Sequence, residues 1–129
     1  MKIIRFEDIE AWKEARELVK LIYQVIKNNE RFRRDFRLIN QIQSAAVSSM
    51  ANIAEGFARR SNKEFIQFLF ISKSSAAEVQ SHLYVARDQA YIQEKEFNQI
   101  YGQAEKVSKM TSGFIKYLIF QLPQPKQPK

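Results

Sequence analysis

In four blocks of this chain, apolar or small residues recur three and four positions apart. A helix places such residues along one side, whereas a strand would scatter them over both faces. The first block holds Trp12, Ala15, Leu18, Val19, Ile22, Tyr23 and Ile26, and the second Ile39, Ile42, Ala46, Ser49, Ile53 and Phe57. The third holds Phe65, Leu69, Ser72, Ala76, Val79, Leu83, Ala86 and Ala90, and the fourth Phe97, Tyr101, Ala104, Val107, Thr111, Phe114 and Leu118. With three glycines and three prolines in 129 residues, turns are few and elements long. The pattern predicts an all-α fold: a single antiparallel up-down-up-down four-helix bundle over residues 1–122, with helices at roughly 8–28, 33–58, 62–91 and 94–120. The segment 123–129 carries all three prolines and is expected to be a flexible Pro/Lys tail.

Local signals mark some helix ends. Asp8 is placed to cap the first helix, and Ser61-Asn62-Lys63-Glu64 reads as a capping box. Gly56 suits either a left-handed helix end or a close approach of two helices.

Several chemistries have no residues to support them. The chain has no cysteine, so a disulfide framework, a thiolate metal site and a thiol nucleophile are all excluded. His82 is the one histidine, without a second imidazole to share a metal. No Gly-rich phosphate loop, nucleophile elbow or His-Glu-x-x-His pair occurs. The sequence therefore predicts a protein without enzymatic activity, metal or cofactor. No run approaches the ~20 apolar residues of a membrane span, and the first residues lack a signal-peptide pattern, so a cytoplasmic location without membrane contact is expected.

The net charge is +7 and the sequence pI about 9.7. Residues 31–63 carry seven cations against two anions, whereas residues 1–30 carry six of each. A basic excess of this kind favours polyanionic partners, RNA or DNA among them. A helix over 33–58 would be about 37 Å long at ~1.5 Å per residue. It would divide the excess into two patches, Arg31, Arg33, Arg34 and Arg37 at one end and Arg59, Arg60 and Lys63 at the other. Lys2, Arg5, Lys116, Lys126 and Lys129 are expected to gather at the second end. Cations are mildly unfavourable at a helix start, so four arginines there call for phosphates or acidic groups as partners.

Two further features invite a role. Phe65-Ile66-Gln67-Phe68-Leu69-Phe70-Ile71 is apolar around nearly its whole circumference, more than the ~100° a bundle helix needs. Ile66 and Phe70 are predicted to face another subunit. Gln41, Ser48, Asn52, Glu55, Ser75 and Glu78 form a polar seam, read as a hydrogen-bonded network that fixes helix register, with a ligand-binding seam as the alternative.

The same residues carry a family resemblance. Asn52-Ile53-Ala54-Glu55-Gly56 is preceded by Gln41 and Ser48 and followed by Arg59 or Arg60, Ser61, Lys63, Glu64 and Phe65. Together with Phe6-Glu7-Asp8-Ile9-Glu10-Ala11-Trp12-Lys13-Glu14-Ala15 and Ser75-Ala76-Ala77-Glu78, this pattern resembles the bacterial four helix bundle protein family, also called the 23S rRNA-intervening sequence protein family. Arg33 follows Phe32 where the family often has proline, Ser74 stands where it often has glycine, and Ser49 and Met50 occupy a stretch where it often has proline. The resemblance implies a pentamer of antiparallel bundles around a central channel, with no known catalytic activity. Some relatives are encoded within intervening sequences of large-subunit ribosomal RNA genes. A distantly similar group, the accessory variability proteins of diversity-generating retroelements, forms basic pentamers that bind nucleic acid and a reverse transcriptase.

The reading that results is a non-catalytic, homo-oligomeric bundle associated with RNA or DNA through its basic patches. The alternative is a scaffold or accessory subunit whose partner is a protein, such as a reverse transcriptase.

Overall fold

The computed structural model of the protein describes residues 2–123; segment 124–129, with Lys126 and Lys129, lies outside the described residues. Those residues form a short 3-10 turn, Phe6–Asp8, and five α-helices without a strand. The helices are α1 (Glu10–Lys27), α2 (Glu30–Arg34), α3 (Phe36–Phe57), α4 (Asn62–Asp88) and α5 (Glu94–Phe120).

The long helices form because each carries an apolar stripe and no interior proline. Leu18 and Ile22 of α1, Ile42 and Ile53 of α3, Leu69 and Leu83 of α4, and Ile100 and Val107 of α5 are all fully buried in one core. Cross-helix contacts fix the directions. Ser48 meets Ser75 and Ser49 meets Ser72, so α3 and α4 run antiparallel. Tyr84 packs on Phe97, and Phe65 on Phe114, so α4 and α5 do the same. The Gln103 side chain donates to the Glu14 carbonyl at 2.8 Å and to its carboxylate at 3.0 Å, which joins α5 to α1. That amide, with Lys106 beyond it, holds the Glu14 carboxyl below its ordinary range.

The predicted helix over 33–58 is divided. The backbone breaks at Asp35 (φ −87°, ψ 77°), and its carboxylate accepts the Leu38 amide at 3.1 Å to start α3. Asn29 starts α2 in the same way, accepting the Phe32 amide at 2.9 Å. Phe32 keeps its place in the core, so the break leaves the hydrophobic pattern intact and shows only in the capping residues.

Other ends differ in detail from the sequence reading. Asp8 does not cap α1, whose N-cap is Ile9. Its carboxylate instead accepts the Ile4 and Arg5 amides at 3.0 and 3.1 Å, closing the 3-10 turn, and these bonds hold it below the usual aspartate range. Ser61 caps α4 by accepting the Glu64 amide at 3.2 Å. Gly56 is a close-packing site: a Cβ there would lie 2.7 Å from Phe65 Cδ1 and 2.8 Å from Phe68 Cβ. Ala90, expected on the apolar stripe, is exposed and left-handed (φ 60°). It closes α4 in a Schellman pattern, with Tyr91 N–H donating to Ala86 and Ala90 N–H to Arg87, each at 2.9 Å.

Candidate functional site

The arginine end is built on the break at Asp35. Arg31, Arg33 and Arg34 lie on α2, in its last turn, and Arg37 follows in the first turn of α3. The expected row of cations at one helix start is therefore not what forms. A last turn accepts cations readily, which removes the electrostatic conflict inferred from sequence. Each α2 arginine also finds a local acceptor. Arg34 pairs with Glu30 at 2.6 Å, Arg33 donates to the Lys27 carbonyl at the end of α1, and Arg31 lies over the Tyr91 ring at 5.5 Å. Arg37 forms no ion pair among the described residues.

Tyr91 and Asp35 organise this end, and neither was singled out from the sequence. The Tyr91 hydroxyl donates to Asp35 Oδ2 at 2.9 Å, and its ring stacks on the buried Phe32 at 5.1 Å. The bond to the carboxylate, with partial burial, pushes the phenol above its ordinary pKa. Between Asp35 and Arg37 stands Phe36, 78% exposed. An open cavity of about 580 Å³ is lined by Arg31, Arg34, Asp35, Phe36, Arg37 and Tyr91. Asp35 was legible as a cap; the exposure of Phe36 was not, because it stands three residues before Ile39 of the expected stripe, whereas the structure buries Leu38 and leaves Ile39 half-buried. Tyr91 comes from the distant α4–α5 connection and left no local signal.

The second basic patch lies at the other end of α3, about 33 Å away for 22 residues at ~1.5 Å each. There the Arg59 guanidinium lies 4.6 Å over the Phe68 ring. Arg59 and Arg60 border a cavity of about 300 Å³ with Ser61, Asn62 and Tyr117. Lys63 is exposed on the first turn of α4. The structure thus brings the seven cations together as four and three, never as one surface.

The polar seam is shorter than the sequence pattern suggested. Ser48 Oγ and Ser75 Oγ share a hydrogen bond of 2.8 Å, and Asn52 Nδ2 donates to the Ser48 carbonyl and hydroxyl at 2.8 and 2.9 Å. Ser72, unmarked from sequence except as stripe, donates to the Ser49 carbonyl at 2.5 Å. Gln41, Glu55 and Glu78 are exposed and stand outside this set; Glu78 lies 3.9 Å from His82. Three-and-four spacing placed the six on one side, but only those facing the other helix meet.

The apolar segment of α4 also resolves differently from expectation. Ile66 is 9% exposed and belongs to the chain's own core. Its burial within one chain requires no sister subunit. α4 packs between α3 and α5, and a helix with two neighbours needs a wider apolar arc than one stripe. Phe70 is 51% exposed, with Ile71 open next to it. On the adjoining α3 no side chain from Leu38 to Ala54 is charged, and Ser44, Val47 and Ala51 face outward. The outer flank of α3 is accordingly small, apolar or neutral, whereas α4 beside it also exposes Lys63 and Glu78.

This architecture, antiparallel amphipathic helices around one core with basic ends, defines a small all-helical bundle protein. No helix among the described residues is long and apolar enough to cross a membrane. The model of the family described as 23S rRNA-intervening sequence protein matches residues 7–113, and the chain belongs to that family. Among solved structures it is similar to a protein of unknown function from the S23 ribosomal protein family of Bacteroides thetaiotaomicron VPI-5482. The two share 25% identity and a TM-score of 0.74 over 82% of this chain and 98% of that one. No curated protein shows significant similarity to the chain.

Proposed function

We propose that this protein is a non-catalytic, self-associating bundle of up-down-up-down topology that binds RNA or DNA through phosphate contacts at its basic ends. The observation that carries the reading is the cavity at the α2–α3 break, where Arg31, Arg34 and Arg37 converge. Three guanidinium groups face one lining carboxylate, Asp35, and even with Glu30 paired to Arg34 the cavity keeps an excess of positive charge. Arg33, and Arg59, Arg60 and Lys63 at the far end, extend the contact to longer polyanions. The polar groups that meet between α3 and α4 spend their hydrogen bonds on one another and on helix carbonyls, as a structural seam does. The neutral flank around Phe70, Val47 and Ala51 supports association of copies into a ring, a pentamer by the family resemblance, in the cytoplasm. In a ring the arginine cavities repeat, and weak contacts add.

Titrating structured RNA and duplex DNA at two salt concentrations tests the reading. Affinity is expected to fall with salt and to show little sequence preference. Reversing Arg34 and Arg37 to glutamate should weaken binding to both. Absence of binding at low salt would leave the second reading, a protein-interaction scaffold, which the uncharged flank of α3 favours and which nuclease-resistant partners such as a reverse transcriptase would identify. A solution mass equal to one chain at micromolar concentration would overturn the ring.

A further inference from the structure

The arginine cavity contains a feature that phosphate binding does not use. Phe36 is held out in water at 78% exposure, in the segment Arg34-Asp35-Phe36-Arg37 that lines the cavity. The fold dictates its position. Asp35 caps α3 and sets the helix phase so that Leu38 and Ile42 enter the core. Phe36, two residues before Leu38, then points some 200° around the helix from it, at ~100° per residue, and cannot reach the interior. Among the large hydrophobic side chains of the described residues only Phe120 is more open, and it lies close to the undescribed end of the chain, so its exposure says less.

We propose that Phe36 is a stacking platform for an unpaired base, and that the site recognises single-stranded nucleic acid, with the flanking phosphates on Arg34 and Arg37. The inference rests on the nucleic-acid reading above and specifies its ligand. Three guanidinium groups around an exposed aromatic ring match the alternation of phosphate and base along a single strand. The cavity, at about 580 Å³ and open to solvent, accommodates a nucleotide as a groove would. A duplex hides its base faces and would meet only the arginines. Arg34 reaches a phosphate by giving up an exposed pair with Glu30, an interaction of small worth at a surface. Arg37 has no pair to give up among the described residues. Tyr91, tied to Asp35 and stacked on Phe32, holds its part of the cavity lining in place.

The experiment compares single-stranded RNA, single-stranded DNA and duplexes of equal length by fluorescence anisotropy, using the full chain and its Phe36→Ala, Phe36→Trp and Arg37→Ala variants. Single strands should bind more tightly than duplexes. Phe36→Ala should weaken single-strand binding about 5- to 100-fold, the usual effect of losing one stacked base, and leave duplex binding and the salt slope unchanged. Phe36→Trp should restore single-strand affinity. Arg37→Ala should weaken both ligands and reduce the salt slope by about one phosphate contact. Equal single-strand binding by wild type and Phe36→Ala, with binding itself intact, overturns the stacking platform alone. A change of solution mass in Phe36→Ala also overturns it, because the ring would then belong to a contact between copies. No binding of any nucleic acid by the wild type overturns both this inference and the reading beneath it.

Discussion

Replacing Gly56 with alanine adds one methyl group where two helices touch, and the structure gives the sign of the result. The new Cβ would lie 2.7 Å from Phe65 Cδ1 and 2.8 Å from Phe68 Cβ. The Phe65 ring edge can rotate away, though it already packs on Phe57 and Phe114. The Phe68 Cβ moves only with the α4 backbone. Overpacking of this kind costs about 1–3 kcal/mol. Against it stands the gain in helix propensity, at most ~1 kcal/mol and less in the last turn of α3. The net expectation is a loss of about 1–2 kcal/mol. At ~2.1 cal/mol/K of unfolding entropy per residue, a chain of this length should lose roughly 4–8 °C in Tm. Gly102 and Gly113 supply internal controls, since a Cβ at either meets nothing within 4 Å. Alanine at each should stabilise the protein by about 0.5–1 kcal/mol. Urea unfolding followed by circular dichroism, with midpoints compared at constant m, reads all three. If Gly56→Ala stabilises as the two controls do, the close approach of α3 and α4 described above is wrong.

Ala90→Gly should stabilise the chain by about 1 kcal/mol in the same urea assay, because Ala90 holds φ 60° at the end of α4, where an L side chain is strained. Thr111→Val should be neutral to stabilising by about 1 kcal/mol, since the Thr111 hydroxyl is buried with no hydrogen-bond partner among the described residues and valine keeps its shape; a clear loss in thermal unfolding would mean that the hydroxyl has a partner. Tyr91→Phe should accelerate amide exchange in α2 while leaving that of α3 to α5 unchanged. The Tyr91 phenol is raised in the folded state, so its tie to Asp35 is fully present below the ordinary tyrosine range near ~10 and is lost as pH climbs through the raised value. A high-pH step in α2 exchange should therefore occur in the wild type and vanish in Tyr91→Phe.

The four long helices were legible because the stripe of each is continuous, from Trp12 to Ile26, Ile39 to Phe57, Phe65 to Ala86 and Phe97 to Leu118. The register of α3 on α4 was partly legible as well, since counting outward from the connection brings Ser48 toward Ser75. The break at Asp35 was missed because it interrupts no apolar position of the expected stripe; the signal lay in two caps six residues apart, Asn29 and Asp35. Ile66 was misplaced because a circumference was assigned to one seam, while α4 has two flanking helices to satisfy. The arginines were located correctly at opposite ends, but their immediate surroundings were not, because Tyr91 arrives from a connection more than fifty residues away in sequence.

The run from Leu38 to Ala54 contains no ionisable side chain. Whatever touches that flank is held by shape and by exclusion of water, with no charge to be shielded by added electrolyte. The arginine tip answers to electrolyte directly. On the proposed function, ionic strength would act as a dial on one extremity of the molecule and leave its side untouched, so that release of the proposed polyanion and dismantling of the proposed assembly would be separable events.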